Sequence, residues 1–486
     1  MHARWFLAPA LGAAAIGMAG CAAPLGPGYT IERQQIRVQF VAAPEPRIRI
    51  EAEYQLKNTG SWPLDELELR LPGRRRFHFE EPRASWDATA LATGISTEHP
   101  RNALISLPQK WTISARHTLH LFVEYSPAGA DETALSFSGD AFFLPAEGWS
   151  PELLPSRGLF ATGGVPPEKW EMSVSVPQGF LVHTSGQRVK TSQKNGEAIV
   201  RATQSSTDHY PFVIAGRYAS AQIGGDKERI ILWTRKAQEP AGLGDARDAL
   251  VRTMNAYDAV FGARSNEPWT TWIVECPVTA GCFTNLNASM AKLLGDEKES
   301  VSAETVSQDT MMVDLSEGMP RLAIAAAPSL AASWLGYAQN PGFYEQEPPL
   351  SALPAFAASI GREAVKGADS RTESIRRVLE LIPEKAATRG PEDPAVVRAK
   401  SFLFFHALQD HYGQDVFRKA ISHMLYARRG RGFKLSDLIA AFDQETNENA
   451  AEFVRLWMKR PGVPEQFRAR YRENTATAQP AKETAR

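Results

Sequence analysis

Between Ile36 and Val176 the apolar residues fall on every second position in one run after another. Ile36/Val38/Phe40, Ile48/Ile50/Ala52/Tyr54 and Leu67/Leu69/Leu71 alternate with polar neighbours such as Glu68 and Arg70. The same period returns at Leu119/Leu121/Val123/Tyr125 and at Trp170/Met172/Val174/Val176. Successive side chains of a strand point to opposite faces, so this spacing predicts strands with one buried face. Turns rich in Pro, Gly and Asn separate the runs. Many short alternating strands imply antiparallel sheets packed as a sandwich.

The period changes beyond about residue 225. Ile230–Thr234 is expected to enter a second unit as a strand. Leu250, Met254, Tyr257 and Phe261 then share one helix face, and Gly262 supplies a stop. Strands at Thr271–Glu275 and Met311–Leu315 would complete a small sheet. After about residue 317 the chain reads as helical. One apolar stripe runs through Val416, Phe417, Ala420, Ile421, Met424 and Leu425, and another through Leu435, Leu438, Ile439 and Phe442. Residues 402–408 are apolar nearly all round, as in a central buried helix. The expected class is therefore α+β. The divisions are a signal segment over 1–20, a tether over 21–29, a β domain over 30–225, a mainly helical domain over 226–468 and a disordered tail over 469–486.

Composition narrows the function. Lys+Arg number 54 against Asp+Glu 55 in 486 residues, a net charge of −1. Nucleic-acid binders carry a basic excess, so nucleic acid is not an expected partner. The basic runs Arg74-Arg75-Arg76 and Arg428-Arg429-Gly430-Arg431 read as solvated loop edges. No Gly-x-Ser-x-Gly, phosphate-loop or dinucleotide motif is present, and there is no internal repeat.

The first twenty residues have the form of an export signal, with Arg4 as the basic start and an apolar, Ala/Gly-rich stretch from Trp5 to Gly20. Met18-Ala19-Gly20 before Cys21 resembles the bacterial lipobox, although Met18 stands where leucine is commoner. The resemblance implies that Cys21 becomes the lipidated N-terminus, and Ala22 after it favours the outer membrane. Several acyl chains at ~0.8 kcal/mol per buried CH₂ make a stable anchor. The plainer reading is cleavage after a small residue with Cys21 incidental. No other stretch is expected to span a bilayer: Leu322–Leu335 is short, alanine-rich and interrupted by Pro328 and Ser329.

Four segments carry chemical interest. They are Gly281-Cys282-Phe283-Thr284-Asn285, Pro328-Ser329-Leu330-Ala331-Ala332-Ser333-Trp334-Leu335-Gly336 with Ser351-Ala352-Leu353 beyond it, Arg398-Ala399-Lys400-Ser401, and Trp457-Met458-Lys459-Arg460-Pro461-Gly462-Val463-Pro464. In this order they resemble the landmarks of the M1 aminopeptidases, gluzincin-type zinc enzymes. That family has Gly-Ala-Met-Glu-Asn, then His-Glu-x-x-His leading into Gln-Trp-Phe-Gly, then a distal Glu after eighteen intervening residues, Tyr-x-Lys-Gly, and Trp-x-x-x-Pro-Gly-x-Pro. Anchoring on Trp334 and Gly336 places the two histidine positions at Pro328 and Ala332, the general base at Ser329 and the distal ligand at Ser351. The eighteen-residue interval between Ala332 and Ser351 is kept. By the same resemblance Thr284 replaces the glutamate that binds a substrate's α-amine, and Arg398 replaces the tyrosine that donates to the oxyanion. The resemblance implies a β-structured N-terminal domain, with Trp149-Ser150-Pro151 and Tyr210-Pro211-Phe212 at its landmarks, followed by a thermolysin-like domain.

Zinc in a hydrolase needs three ligands from His, Glu, Asp or Cys and an open position for water. Proline and alanine side chains offer no lone pair, and a seryl hydroxyl is a poor substitute for a carboxylate. Without the metal, water keeps a pKa near ~15.7 rather than about 7. Losing the base removes a further factor of roughly 10²–10⁴, and losing an oxyanion donor about 10²–10³. The expected product is a non-catalytic, membrane-anchored protein that binds a peptide or an envelope protein, with no cofactor. The alternative is a zinc metalloaminopeptidase with relocated ligands, drawn from carboxylates such as Glu345, Glu347 and Glu363. His406 and His411 are five apart and fall on different helix faces, one expected buried and one exposed. His117 and His120 are three apart in a strand and face opposite sides. Cys276 and Cys282 flank a short loop and could either bridge or remain two thiols. Inside a helix Pro328 removes a hydrogen bond, so the helix is expected to start or bend there.

Overall fold

The computed structural model describes residues 28–70, 77–79, 82–95, 102–127, 137–145, 149–155, 164–204, 211–224, 228–235, 242–263, 269–277, 303–307, 309–315, 318–319, 322–335, 348–383, 393–427 and 434–472. The alternating runs are strands. Tyr29–Val41, Arg47–Asn58 and Arg116–Pro127 are neighbours near the middle of a nine-stranded sheet. Its inner face carries the residues of the period-two pattern. Ile36, Val38 and Phe40 pack with Phe142, Val182 and Val213 of one four-stranded sheet. At the other end Tyr54, Leu56 and Leu119 pack with Leu67 and Leu69 of a second. The outer face holds charged pairs across strands, among them Arg49–Glu124 at 2.7 Å and Arg33–Glu171 at 2.7 Å.

One pairing departs from the antiparallel expectation. Tyr29–Val41 runs parallel to Trp170–Pro177, with Val38 opposite Val174. A parallel neighbour needs a long crossover, and residues 42–169 supply it. The alternation within a strand is the same for either direction, so the pattern alone does not distinguish them.

The four-stranded sheet containing Ala141–Leu144 and Val213–Gly216 is buried on both faces. Its second face meets a five-stranded sheet, where Phe143, Phe212 and Ile214 pack with Trp233, Val274 and Met312. Across this junction the His183 ring stacks on Trp272 at 4.1 Å, and its Nε2 lies 2.8 Å from the Thr310 hydroxyl. Arg235 adds an ion pair to Asp140 at 3.3 Å. The five strands run in the order Ala219–Gly224, Glu228–Thr234, Trp269–Glu275, Thr310–Val313, Ala303–Ser307. The strand Ala219–Gly224, placed by sequence before a boundary at 225, is therefore hydrogen-bonded into the second sheet. Its partner is the next strand in the chain, and a hairpin is the shortest way to satisfy both backbones.

Helices cover the remaining face. Leu243–Phe261 buries Leu250, Met254, Tyr257 and Phe261 and ends at Gly262, whose φ of +85° suits glycine. Pro394–Tyr412 runs through the core, with Phe402, Leu403, Phe404 and Phe405 fully buried. Gln414–Ala427 buries Phe417, Ala420, Ile421 and Met424 of its expected stripe, and Leu435–Thr446 buries Leu438 and Phe442, while Val416, Leu425, Leu435 and Ile439 are half-buried. The helix Leu322–Leu335 does not start at Pro328 but continues through it. Burial of Leu322, Ala326, Leu330 and Leu335 outweighs a proline cost of about 3 kcal/mol. Residues 469–472, expected in the tail, belong to the helix Glu465–Arg472. Tyr471 is buried and donates to Asp410 at 2.6 Å, an anchor that a short stretch without periodicity does not advertise.

Among the described residues no helix is long and apolar enough to cross a membrane.

Candidate functional site

Three helices meet around the segment that bears the four positions singled out by the resemblance. Leu322–Leu335 carries positions 328, 329 and 332, and Leu353–Lys366 follows the turn Leu350–Ala352 that holds Ser351. Leu243–Phe261 lies against both. The Tyr257 hydroxyl donates to the Ala327 carbonyl at 2.7 Å, with the Ala357 carbonyl at 3.1 Å. The phenol is fully buried, and burial pushes its pKa far above the ordinary range, so it stays a neutral donor. Beside it the backbone of Gly361 comes so close that an added Cβ would stand 2.6 Å from the Ala327 Cβ and 2.7 Å from the Tyr257 hydroxyl. Trp334 Nε1 donates to Asp258 Oδ1 at 2.9 Å, and its ring meets Tyr257 edge-on at 5.3 Å. Trp334, Leu353 and Phe356 are all buried. Gly336 lies outside the described residues.

The frame's chemistry is a matter of residue type. Ser329 is buried on its helix, and Ser351 is half-buried in the turn before the next one. Pro328 and Ala332 are helical, and neither side chain has a donor atom. Two neutral hydroxyls and two hydrocarbon groups do not fit a zinc ion, which takes thiolate, imidazole or carboxylate ligands. Among the described residues no three His, Cys, Asp or Glu gather as a group that could hold a metal. Of the carboxylates considered as relocated ligands, Glu345 and Glu347 lie outside the described residues. Glu363 is half-buried at the far end of its helix, where burial raises its pKa against the opposing pull of Arg371.

Other motif positions separate. Arg398 is exposed near the start of its helix, while Lys400 two residues on is fully buried. The Lys400 ammonium donates to the Arg460 carbonyl at 2.7 Å. This joins Arg398-Ala399-Lys400-Ser401 to the Trp457…Pro464 ending, and Trp457 is buried against Phe467 at 5.1 Å, ring edge to face. The two N-terminal landmarks also touch, Trp149 Nε1 donating to the Pro211 carbonyl at 2.9 Å. Thr284 and Cys282 lie outside the described residues, as do Cys21 and the signal segment. Cys276 is disulfide-bonded to a partner also outside them.

His406 is buried and His411 exposed, as their spacing implies. Ser359 Oγ donates to the Phe356 carbonyl at 2.7 Å, so it accepts from His406 Nε2–H at 3.2 Å. The Nδ1 atom has no hydrogen-bond partner among the described residues. Burial, with Arg371 nearby, holds the imidazole's pKa well below its ordinary value. His117 and His120 pair with different carboxylates, Asp87 and Glu53.

Sequence reading missed the strand Ala303–Ser307. It pairs antiparallel with Thr310–Val313, setting Glu304 opposite Met312, and forms an edge of the five-stranded sheet among the described residues. It also packs beside the helix Leu322–Leu335. The signal was the polar turn Ser307-Gln308-Asp309 between Val306 and Met311, where the Ser307 hydroxyl donates to Asp309 at 2.6 Å.

The comparisons agree with this architecture. The M1 zinc metallopeptidase of Deinococcus radiodurans superimposes with a TM-score of 0.54 at 17% identity, covering 90% of this chain and 96% of that one. A mutant of it bound to a Tyr-Ser-Ala substrate gives 0.55 at 16% identity, covering 90% and 95%. The chain thus has an M1 metallopeptidase-like fold, a β-rich N-terminal part followed by a helical one. No family model and no curated protein matches the sequence.

Two outcomes follow from this geometry. Gly361→Ala should lower stability by about 1–3 kcal/mol through overpacking, despite alanine's better helix propensity. Denaturant unfolding checks this, and an unchanged or raised midpoint would count against the close helix contact. Separately, the unfolded chain protonates at His406 first as pH falls through about 6.5, because the folded pKa is depressed. Stability is full above that value and declines below it, by at most about 1.4 kcal/mol per pH unit, until the folded pKa is reached. His406→Gln should flatten that slope in thermal melts between about pH 7 and 5; an identical slope would refute the assignment.

Proposed function

We propose that this protein is a non-catalytic peptide-binding lipoprotein of the bacterial envelope. Cys21 is its lipidated residue, the outer membrane its site of anchoring, and neither zinc nor nucleic acid takes part. Cys276 pairs with Cys282 in this reading. The observation that carries it is the contrast at one place in the fold. The helices around positions 328, 329, 332 and 351 keep their close packing through Tyr257, Gly361 and Trp334, while the residue types at those positions are useless to a metal.

A bound peptide is the occupant that the neighbouring backbone favours. Among the described residues Ala303–Ser307 offers a sheet edge beside the helix Leu322–Leu335, and an extended peptide adds to such an edge through main-chain hydrogen bonds. The Deinococcus radiodurans enzyme's peptide complex supports the class of ligand and no more than that.

The test is fluorescence anisotropy with short peptides, free or acetylated at the N-terminus, together with chromatography of the incubated peptides. Free-amine peptides should bind and emerge intact. Acetylation should weaken binding roughly tenfold or more, the scale of a lost charge-assisted hydrogen bond. Chelator-sensitive cleavage, or no binding of any peptide, would overturn the proposal.

A further inference from the structure

We propose that the end of the β domain where the chain enters it docks on the bilayer, through Ile113 and the neighbouring turn at Ser61–Pro63. The inference rests on the lipid-anchored reading of Cys21 and adds an orientation to it. Gly28 begins the described chain, and its carbonyl accepts from the backbone N–H groups of Thr59 at 3.2 Å and Gly60 at 2.7 Å. Glycine is required at 60, since an added Cβ would lie 2.9 Å from that carbonyl. The entry point is thus fastened to one particular loop.

That loop is welded to the next hairpin by Asn58, which is fully buried. Its side-chain NH₂ donates to the carbonyls of Trp111 at 2.9 Å and Trp62 at 3.2 Å, and its Oδ1 accepts from Gly60 N–H at 2.9 Å. Its backbone carbonyl accepts from Ser114 at 2.9 Å. The turn it holds exposes Ile113, with 49% of its surface open to solvent, and is flanked by exposed Thr112 and Ser114. Ser61 and Pro63 are exposed in the adjoining loop, around half-buried Trp62.

Covalent length selects the occupant. From Cys21 to Gly28 the chain spans at most about 25 Å, at roughly 3.6 Å per residue. Tyr29–Val41 is 13 residues long, so it carries the opposite end of the sheet about 40 Å further away. An acylated Cys21 therefore holds the Ile113 end within about 25 Å of the headgroups in every orientation, a limit the far end does not share. One isoleucine has little membrane affinity of its own. The short tether supplies the high local concentration that makes so weak a contact persist.

The experiment uses the full chain, made in a bacterial host with its own signal and reconstituted in vesicles of phosphatidylethanolamine and phosphatidylglycerol. A photo-crosslinking benzoylphenylalanine replaces Ile113 in one preparation and Tyr426, which is 82% exposed, in another. Mass spectrometry reads the Cys21 modification and the crosslinked products. Acylated Cys21 with lipid adducts many-fold more abundant at 113 than at 426 is the expected result. Acylated Cys21 with equal or absent adducts at 113 would overturn the docking and leave the anchor standing. Unmodified Cys21 would remove the anchored reading and the docking with it.

Discussion

Three helices approach one another closely only because small residues and a buried phenol allow it. Gly361 lets its helix come against Ala327, and Tyr257 binds the backbone at that contact, tying Leu243–Phe261 to Leu322–Leu335 and Leu353–Lys366. A larger residue at 361 would push the helix that follows Ser351 away from the helix that carries Ser329. The arrangement of these three helices thus rests on packing interactions that involve none of positions 328, 329, 332 and 351. Packing and chemistry are separable here: the helices are held together whatever donor atoms those four positions carry.

The second support comes from sheets. The four-stranded sheet with Ala141–Leu144 serves as the shared layer between the large N-terminal sheet and the five-stranded one. The aromatic stack of His183 on Trp272 and the Arg235–Asp140 pair lie at the same junction. The strand proposed to receive a peptide, Ala303–Ser307, is the last member of that five-stranded sheet among the described residues, beside the helix Leu322–Leu335.

Much of this was legible in the sequence where the physics is local. Alternation at Ile48/Ile50/Ala52/Tyr54 and the helix face ending at Gly262 need only neighbouring residues to be read. Strands buried on both faces lose the period-two signal, which is why Ala141–Leu144 and Val213–Gly216 gave little warning. The parallel partner of Tyr29–Val41 arrives after more than a hundred residues, and no local pattern encodes that. Pro328 misled because its cost is local, whereas the burial that offsets it is tertiary. At the site, Thr284 lies outside the described residues.

The central claim is chemical: the residues at 328, 329, 332 and 351 cannot hold a divalent cation. Isothermal titration of metal-free, full-length protein with zinc, checked by elemental analysis after dialysis, addresses it most directly. The expected result is no saturable heat and no stoichiometric zinc retained. One tightly held equivalent, displaced by a chelator and diminished when Ser329 or Ser351 is changed to alanine, would contradict it.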